Sequence, residues 1–187
     1  MSTTSRLKVL YLSHFSKPAS DRPIYRLVCR KRVRSIVELG VGLGERAVRL
    51  IQAAARYTPV EDVRYTGIDL FDMRTSADGW GLTLKAAHRL LKPTGARIQL
   101  VPGDLFNGLS RAANGLAGTD LVIVSAGYDP DCLARAWYYV PRMLAEESRV
   151  LVEQEQGPEG EMVVRTVDPA RIDALAAKSQ DRFRRAA

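Results

Sequence analysis

One stretch limits what this chain can build more than any other: an apolar run that passes through three alternating glycines into an amphipathic stripe. It reads Ser35-Ile36-Val37-Glu38-Leu39-Gly40-Val41-Gly42-Leu43-Gly44-Glu45-Arg46. Ile36 and Val37 are β-branched and apolar, as a buried strand requires. Beyond Gly44, the residues Ala47, Leu50, Ile51 and Ala54 fall on one face at helical spacing, so a helix is expected over 45–56. A strand that enters a helix through so short a loop aims the backbone N–H groups of the helix N-terminus at whatever lies above it. Glycine is the residue that lets a bound group come that close to the backbone.

The same alternation recurs along the chain. Residues 8–12 form a short apolar lead-in, a small strand or part of a cap, followed by a loop over 13–21. A helix is expected over 23–34, with Asp21 as its N-cap and Pro23 in its first turn. After the first strand (35–38), strands are expected over 63–70, 98–101, 120–125 and 149–153. Helices are expected over 82–91, 110–116 and 131–145 between them. The run 120–125 is almost wholly apolar, as a strand covered on both faces should be. Residues 157–160 form a turn that returns 162–167 as an antiparallel partner of the fifth strand, and 169–178 form a last helix. Five strand–helix alternations make this an α/β chain with a doubly wound, mostly parallel sheet, right-handed crossovers and helices on both faces.

The 187 residues suffice for one domain with one good core, and 46% hydrophobic and 26% charged content is ordinary for a globular chain. No apolar run approaches the roughly 18–20 residues of a membrane span. The first eight residues lack the apolar core of a secretory signal, so a cytoplasmic location is expected. Cys29 and Cys132 stand far apart without neighbouring Cys or His, which suits reduced thiols and no metal site. The net charge of +7 raises the question of a polyanionic partner. The basic residues are dispersed, and of the denser runs 30–34 carries no aromatic and 182–185 a single one, Phe183, which is thin support for nucleic-acid binding.

In an open α/β sheet, ligands lie beyond the carboxyl ends of the strands where strand order reverses. The first strand ends at Glu38 and the glycine loop, and the second at Asp69-Leu70. A carboxylate there can accept both hydrogen bonds of a ribose diol. The third ends at Gly103-Asp104-Leu105, where an Asp could accept from an exocyclic amine, and the fourth at the small residues Ser125-Ala126-Gly127. Each acid has a plainer reading: Glu38 as a helix-dipole partner, Asp69 as a cap or turn residue, Asp104 as an Asx-turn former. Their arrival at successive strand ends is what gives the set its meaning.

From about residue 33 to 153 the chain resembles a class I S-adenosylmethionine (SAM)-dependent methyltransferase. The segment 38–44 resembles that family's first motif, 65–70 the second, whose acid holds the SAM ribose, and 101–105 the third, whose Asp contacts adenine. The resemblance implies SAM as cofactor, strand order 3-2-1-4-5 with an antiparallel strand beyond, and a methyl acceptor, most simply a small molecule. It implies that Gly40, Gly42 and Gly44 pack under the methionine and ribose portions, with Glu38 near the amino-acid end. The further cofactor-binding candidates are Asp69, Leu70, Gly103, Asp104, Leu105 and Ser125. Residues 1–34 then read as a cap segment and helix, and 35–187 as the Rossmann-like domain of a single globular unit. The chain is similar to small O-methyltransferases, yet where those carry a metal-binding acidic cluster it has Ser125-Ala126-Gly127-Tyr128-Asp129. Asp129, even with Asp131 nearby, falls short of the oxygen set that Mg²⁺ needs, so metal-independent transfer is expected.

No catalytic residue is assigned. His14, Lys17, Tyr128 and Asp129 are candidates for a base, and Lys17 or Arg22 for contact with an anionic substrate or the cofactor carboxylate. Two readings stay beside the enzyme: a methyltransferase-like binding or scaffold protein without activity, and an RNA methyltransferase, supported by net charge alone. The glycine spacing and Asp104 count against a nicotinamide-dependent oxidoreductase. A bare sheet of this kind can borrow part of its pocket from a second subunit, as in a homodimer.

Overall fold

The computed structural model describes residues 6–156 and 160–186. Six strands form one sheet in the order β3-β2-β1-β4-β5-β6: β1 Ser35–Leu39, β2 Arg64–Asp69, β3 Arg97–Pro102, β4 Thr119–Val124, β5 Leu144–Gln156 and β6 Glu161–Val167. The first five run parallel, and β6 pairs antiparallel with β5. This is the order that the family resemblance implied, on the doubly wound plan that the strand–helix alternation predicted. The turn expected at 157–160 lies, apart from Gly160, outside the described residues, as does the N-terminal segment 1–5.

Strand alternation divides the core between the two faces of the sheet. Ile36, Leu121, Ile123 and Leu151 point to the face covered by α1 (Arg6–His14), α2 (Arg22–Lys31) and α3 (Glu45–Ala54). Val37, Leu39, Val122, Val124, Val150 and Val152 point to the other face. There they meet α5 (Leu105–Ala112), α6 (Pro130–Ala136), α7 (Val140–Met143) and α8 (Pro169–Ala186). By the same parity Glu38, Ser125 and Glu153 lie on the α3 face, and this places the site's charges.

Several local expectations are revised. Residues 8–12 belong to helix α1, of which Leu12 is buried while Leu7, Leu10 and Tyr11 stay exposed. A five-residue apolar run carries no period long enough to separate strand from helix. Helix α5 begins at Leu105, five residues before the expected start, because the Asp104 side chain accepts from the Asn107 N–H at 2.8 Å and caps it. The helix expected over 131–145 is two: α6 ends at Ala136 and α7 restarts with Pro141 in its first turn. Asp21 does not cap α2; its backbone is already helical and its carboxylate turns inward. Helix α4 (Leu84–Leu91) is capped by Thr83, whose hydroxyl accepts from Ala86 N–H at 3.2 Å. No described helix is long and apolar enough to cross a membrane.

Candidate functional site

A cavity of about 640 Å³ opens above the carboxyl ends of β1, β2, β4 and β5. Of the ten residues singled out in the sequence, Gly40, Gly42, Gly44, Leu70, Asp104 and Ser125 line it. Glu38, Asp69, Gly103 and Leu105 do not, and all four are buried. The structure thus brings the candidates to one place, with the two strand-end acids under the floor.

The glycine loop shapes that floor. Gly40, Gly42 and Gly44 have φ of +98°, +56° and +73°, where a side chain is strained. A Cβ on Gly40 would collide with the Tyr128 hydroxyl and the Ser125 side chain, whereas one on Gly42 would meet nothing within 4 Å. Gly40 therefore carries a tight contact, and Gly42 leaves open space for a ligand.

Asp69 is held from three sides. Its Oδ2 accepts from Gly42 N–H at 2.8 Å, and its Oδ1 accepts from Leu70 N–H at 2.6 Å and from the Arg74 guanidinium. The first bond ties the tip of the glycine loop to the end of β2. Arg74 also donates to Asp78 O at 2.7 Å and packs under Gly81, leaving its buried Nε without a hydrogen bond among the described residues. Beside this loop Trp80 stands almost wholly exposed at the cavity rim. Asp104 caps α5 and has Cys132 Sγ at 3.5 Å from Oδ1. Burial opposes its charge, but the bonds from Asn107 outweigh that and hold its carboxyl below the usual range.

At the β5 side, Arg46 gathers the acids that strand parity delivers. It donates to Glu38 at 2.6 Å and to Glu153 at 2.5 Å, donates to the Ser125 hydroxyl, and lies 3.5 Å from Asp21 Oδ1. Tyr65 donates its hydroxyl to the other oxygen of Glu38, and Ser125 donates to Gly40 O at 2.8 Å. Burial pushes the carboxyls of Glu38 and Asp21 above their ordinary range, with Arg46 opposing the shift in both. Burial works against the charge of Arg46, but Glu38 and Glu153 more than offset it, so it stays cationic. The sequence reading missed Arg46, Glu153, Asp21 and Arg74. One signal was available: an acid at 153 on the same strand face as Glu38 needs a cation, and the first turn of α3 is the element above it.

The other candidates separate cleanly. His14 is exposed, its Nδ1 within 3.1 Å of Leu10 O, and lies off the cavity. Lys17 is exposed, and it is its backbone carbonyl that accepts from Arg49 at 2.5 Å. Arg22 donates to Ser16 O at 2.8 Å. Asp129 lines the cavity, yet Oδ2 is engaged in capping α6 through Cys132 N–H at 2.7 Å. Tyr128 lines it too, and burial followed by the negative charge of Asp69 raises its phenol well above the ordinary value, so its proton stays on.

The architecture recurs among solved structures. The O-methyltransferase TomG from Streptomyces achromogenes, involved in tomaymycin synthesis and solved in complex with SAM, matches with a TM-score of 0.57 at 16% identity. The match covers 96% of this chain and 79% of TomG. Cofactor-bound Rv0187 from MTB matches with a TM-score of 0.54 at 17% identity, over 94% of this chain and 75% of its own. A SAM-dependent methyltransferase from Agrobacterium tumefaciens gives 0.52 at 12% identity, over 86% of this chain and half of its own length, 50%. No protein-family model matches the sequence, and neither does any curated protein. At these identities the likeness is one of fold: the chain has the architecture of the class I SAM-dependent methyltransferases.

Proposed function

We propose that this chain is a SAM-dependent methyltransferase acting on an acceptor at the β5 end of the cavity. The observation that carries the reading is convergence. Gly40, Gly42, Gly44, Leu70, Asp104 and Ser125 come from separate strand ends, yet line one cavity whose volume falls within the roughly 300–1,000 Å³ of small-ligand sites. The open space over Gly42, which a Cβ would otherwise fill, suits a backbone-hugging ligand. In this reading Leu70 and Asp104 flank the adenine, Asp69 faces the ribose once Arg74 yields, and the glycine loop carries the methionine portion. The bound cofactor supplies an activated methyl group on a sulfonium.

The chain's own residues then have three tasks. The glycine loop and Asp69 hold the donor in place, and positioning is the main resource for an in-line transfer. Tyr128, packed against Gly40 with its proton retained, covers the floor and can donate a hydrogen bond. Among the carboxylates lining the cavity, Asp129 spends only Oδ2 on the α6 cap and is the candidate to take a proton from a hydroxyl acceptor. We read the transfer as metal-independent: Asp129 caps α6 and Asp131 pairs with Arg182 at 3.0 Å, so neither is free as a carboxylate ligand. A reducing, cytoplasmic setting suits the two free thiols of Cys29 and Cys132.

Thermal unfolding with and without ligand tests the reading. SAM should raise the melting temperature in a concentration-dependent way, by about 2.7 kcal/mol of added stability at a hundred times its Kd. The shift should be the same in EDTA, and NADH should give none. A shift from NADH and none from SAM would overturn the assignment.

A further inference from the structure

We propose that the β5 end of the cavity, walled by Asp21, Glu153 and Arg46, is the acceptor subsite and that it recognises a protonated amine on the acceptor. Placing the acceptor here rests on the methyltransferase reading; the affinity of this wall for an ammonium does not.

The first ground is an orphaned atom. Asp21 is 3% exposed and lines the cavity. Its Oδ2 accepts from Tyr25 at 3.1 Å, but Oδ1 has no hydrogen-bond partner among the described residues. Arg46 Nη1, at 3.5 Å from it, is too far to donate a good bond. A buried carboxylate oxygen without a donor is costly, so a ligand that brings one gains what the empty site lacks.

The second ground is charge. Three carboxylates, Asp21, Glu38 and Glu153, face the single guanidinium of Arg46. Arg49 also lines the cavity but is held by Glu45 at 3.0 Å and by the Lys17 carbonyl. In a chain of net charge +7 this end is locally short of positive charge. Among the described residues no three acids, His or Cys are spaced to hold a metal ion, so the cation that fits binds by hydrogen bonds. An ammonium offers three donors and one charge; a neutral hydroxyl would meet Oδ1 but leave the charge unbalanced.

The third ground is position. Leu70 and Asp104, the donor-side residues, follow β2 and β3, whereas Glu153 belongs to β5, across the β1/β4 switch point. Pro18 and Asp21 reach that same end from the segment before α2. The sequence suggested that Lys17 or Arg22 would meet an anion here; the side chain this segment turns to the cavity is an acid.

The test is calorimetric titration of the protein, unliganded and loaded with S-adenosylhomocysteine, with amines paired to isosteres in which CH₃ replaces NH₃⁺. Tyramine is paired with 4-propylphenol, and ethanolamine with 1-propanol. The amine should bind about tenfold tighter than its isostere in at least one pair. Asp21→Asn should abolish that preference while its Kd for S-adenosylhomocysteine stays within about twofold. Glu153→Gln should reduce the preference too, and serves alone if Asp21→Asn fails to fold. No amine preference in either pair would overturn the proposal, and so would a tenfold loss of S-adenosylhomocysteine affinity in Asp21→Asn, which would give the acid to the donor. Failure of the wild type to bind S-adenosylhomocysteine would overturn the methyltransferase reading, while amine preference in the unliganded protein would still decide the chemistry of the wall.

Discussion

Arg46 joins elements that are distant in the chain, and its substitution is the most informative single change in the molecule. It ties Glu38 of β1, Glu153 of β5, Ser125 after β4 and Asp21 before α2 to the first turn of α3. Replacing it with Met fills similar volume but leaves buried carboxylates without their cation. The expected cost is about 3–5 kcal/mol in urea unfolding; a loss below about 1 kcal/mol would show that the acids are protonated rather than paired. The pH dependence follows from the same cluster. Burial holds Asp21 above its ordinary range, with Arg46 opposing the shift and Glu153 and Tyr25 also facing it. An acid that binds its proton more tightly folded than unfolded stabilises the fold fully below its unfolded pKa, about 4, and loses that contribution as pH rises through the folded value. Asp21→Asn removes this loss, so its melting temperature relative to wild type should rise between pH 4 and 7. A difference that falls over that range would contradict the assignment. Of these residues, Glu38 was legible in the sequence because it ends an apolar strand. Arg46 and Asp21 were not, since their partners lie up to 107 positions away.

At the level of elements, the strands were readable and the helix ends were not. A covered parallel strand declares itself by a run such as Leu121-Val122-Ile123-Val124, all buried. Helix α5 begins where Asp104 caps it, and the sequence could equally give that Asp to adenine. The two roles can be separated. Asn is as good an N-cap as Asp, so Asp104→Asn should leave stability within about 0.5 kcal/mol of wild type, whereas Asp104→Ala should cost about 1 kcal/mol. If the carboxylate also meets adenine, Asp104→Asn weakens SAM binding without loss of stability. Equal destabilisation by both variants would show that the cap is not what the side chain supplies. The break between α6 and α7 had its signal in Pro141, which cannot continue the i−4 hydrogen-bond ladder.

For the whole molecule, topology does what single residues cannot. The order β3-β2-β1-β4-β5-β6 puts the glycine loop at the switch point and carries the residues proposed for donor and for acceptor to opposite ends of one cavity. The alternation of strands and helices made a doubly wound parallel sheet predictable, and the family resemblance implied its strand order. The glycines and acids at strand ends were legible because their spacing is local. The β5 end was harder to read because it is assembled from the segment before α2, the first turn of α3 and Glu153 of β5, which strand parity links but no local pattern does. The central claim is that this cavity holds SAM, and calorimetric titration of the wild type and Asp69→Ala with SAM tests it most directly. The account predicts binding in the micromolar range for the wild type, about −8 kcal/mol, and loss of at least about tenfold in the variant, whose melting temperature would serve as the folding control. A wild-type protein that is folded and shows no heat of binding would contradict it, leaving a methyltransferase fold that serves some other ligand.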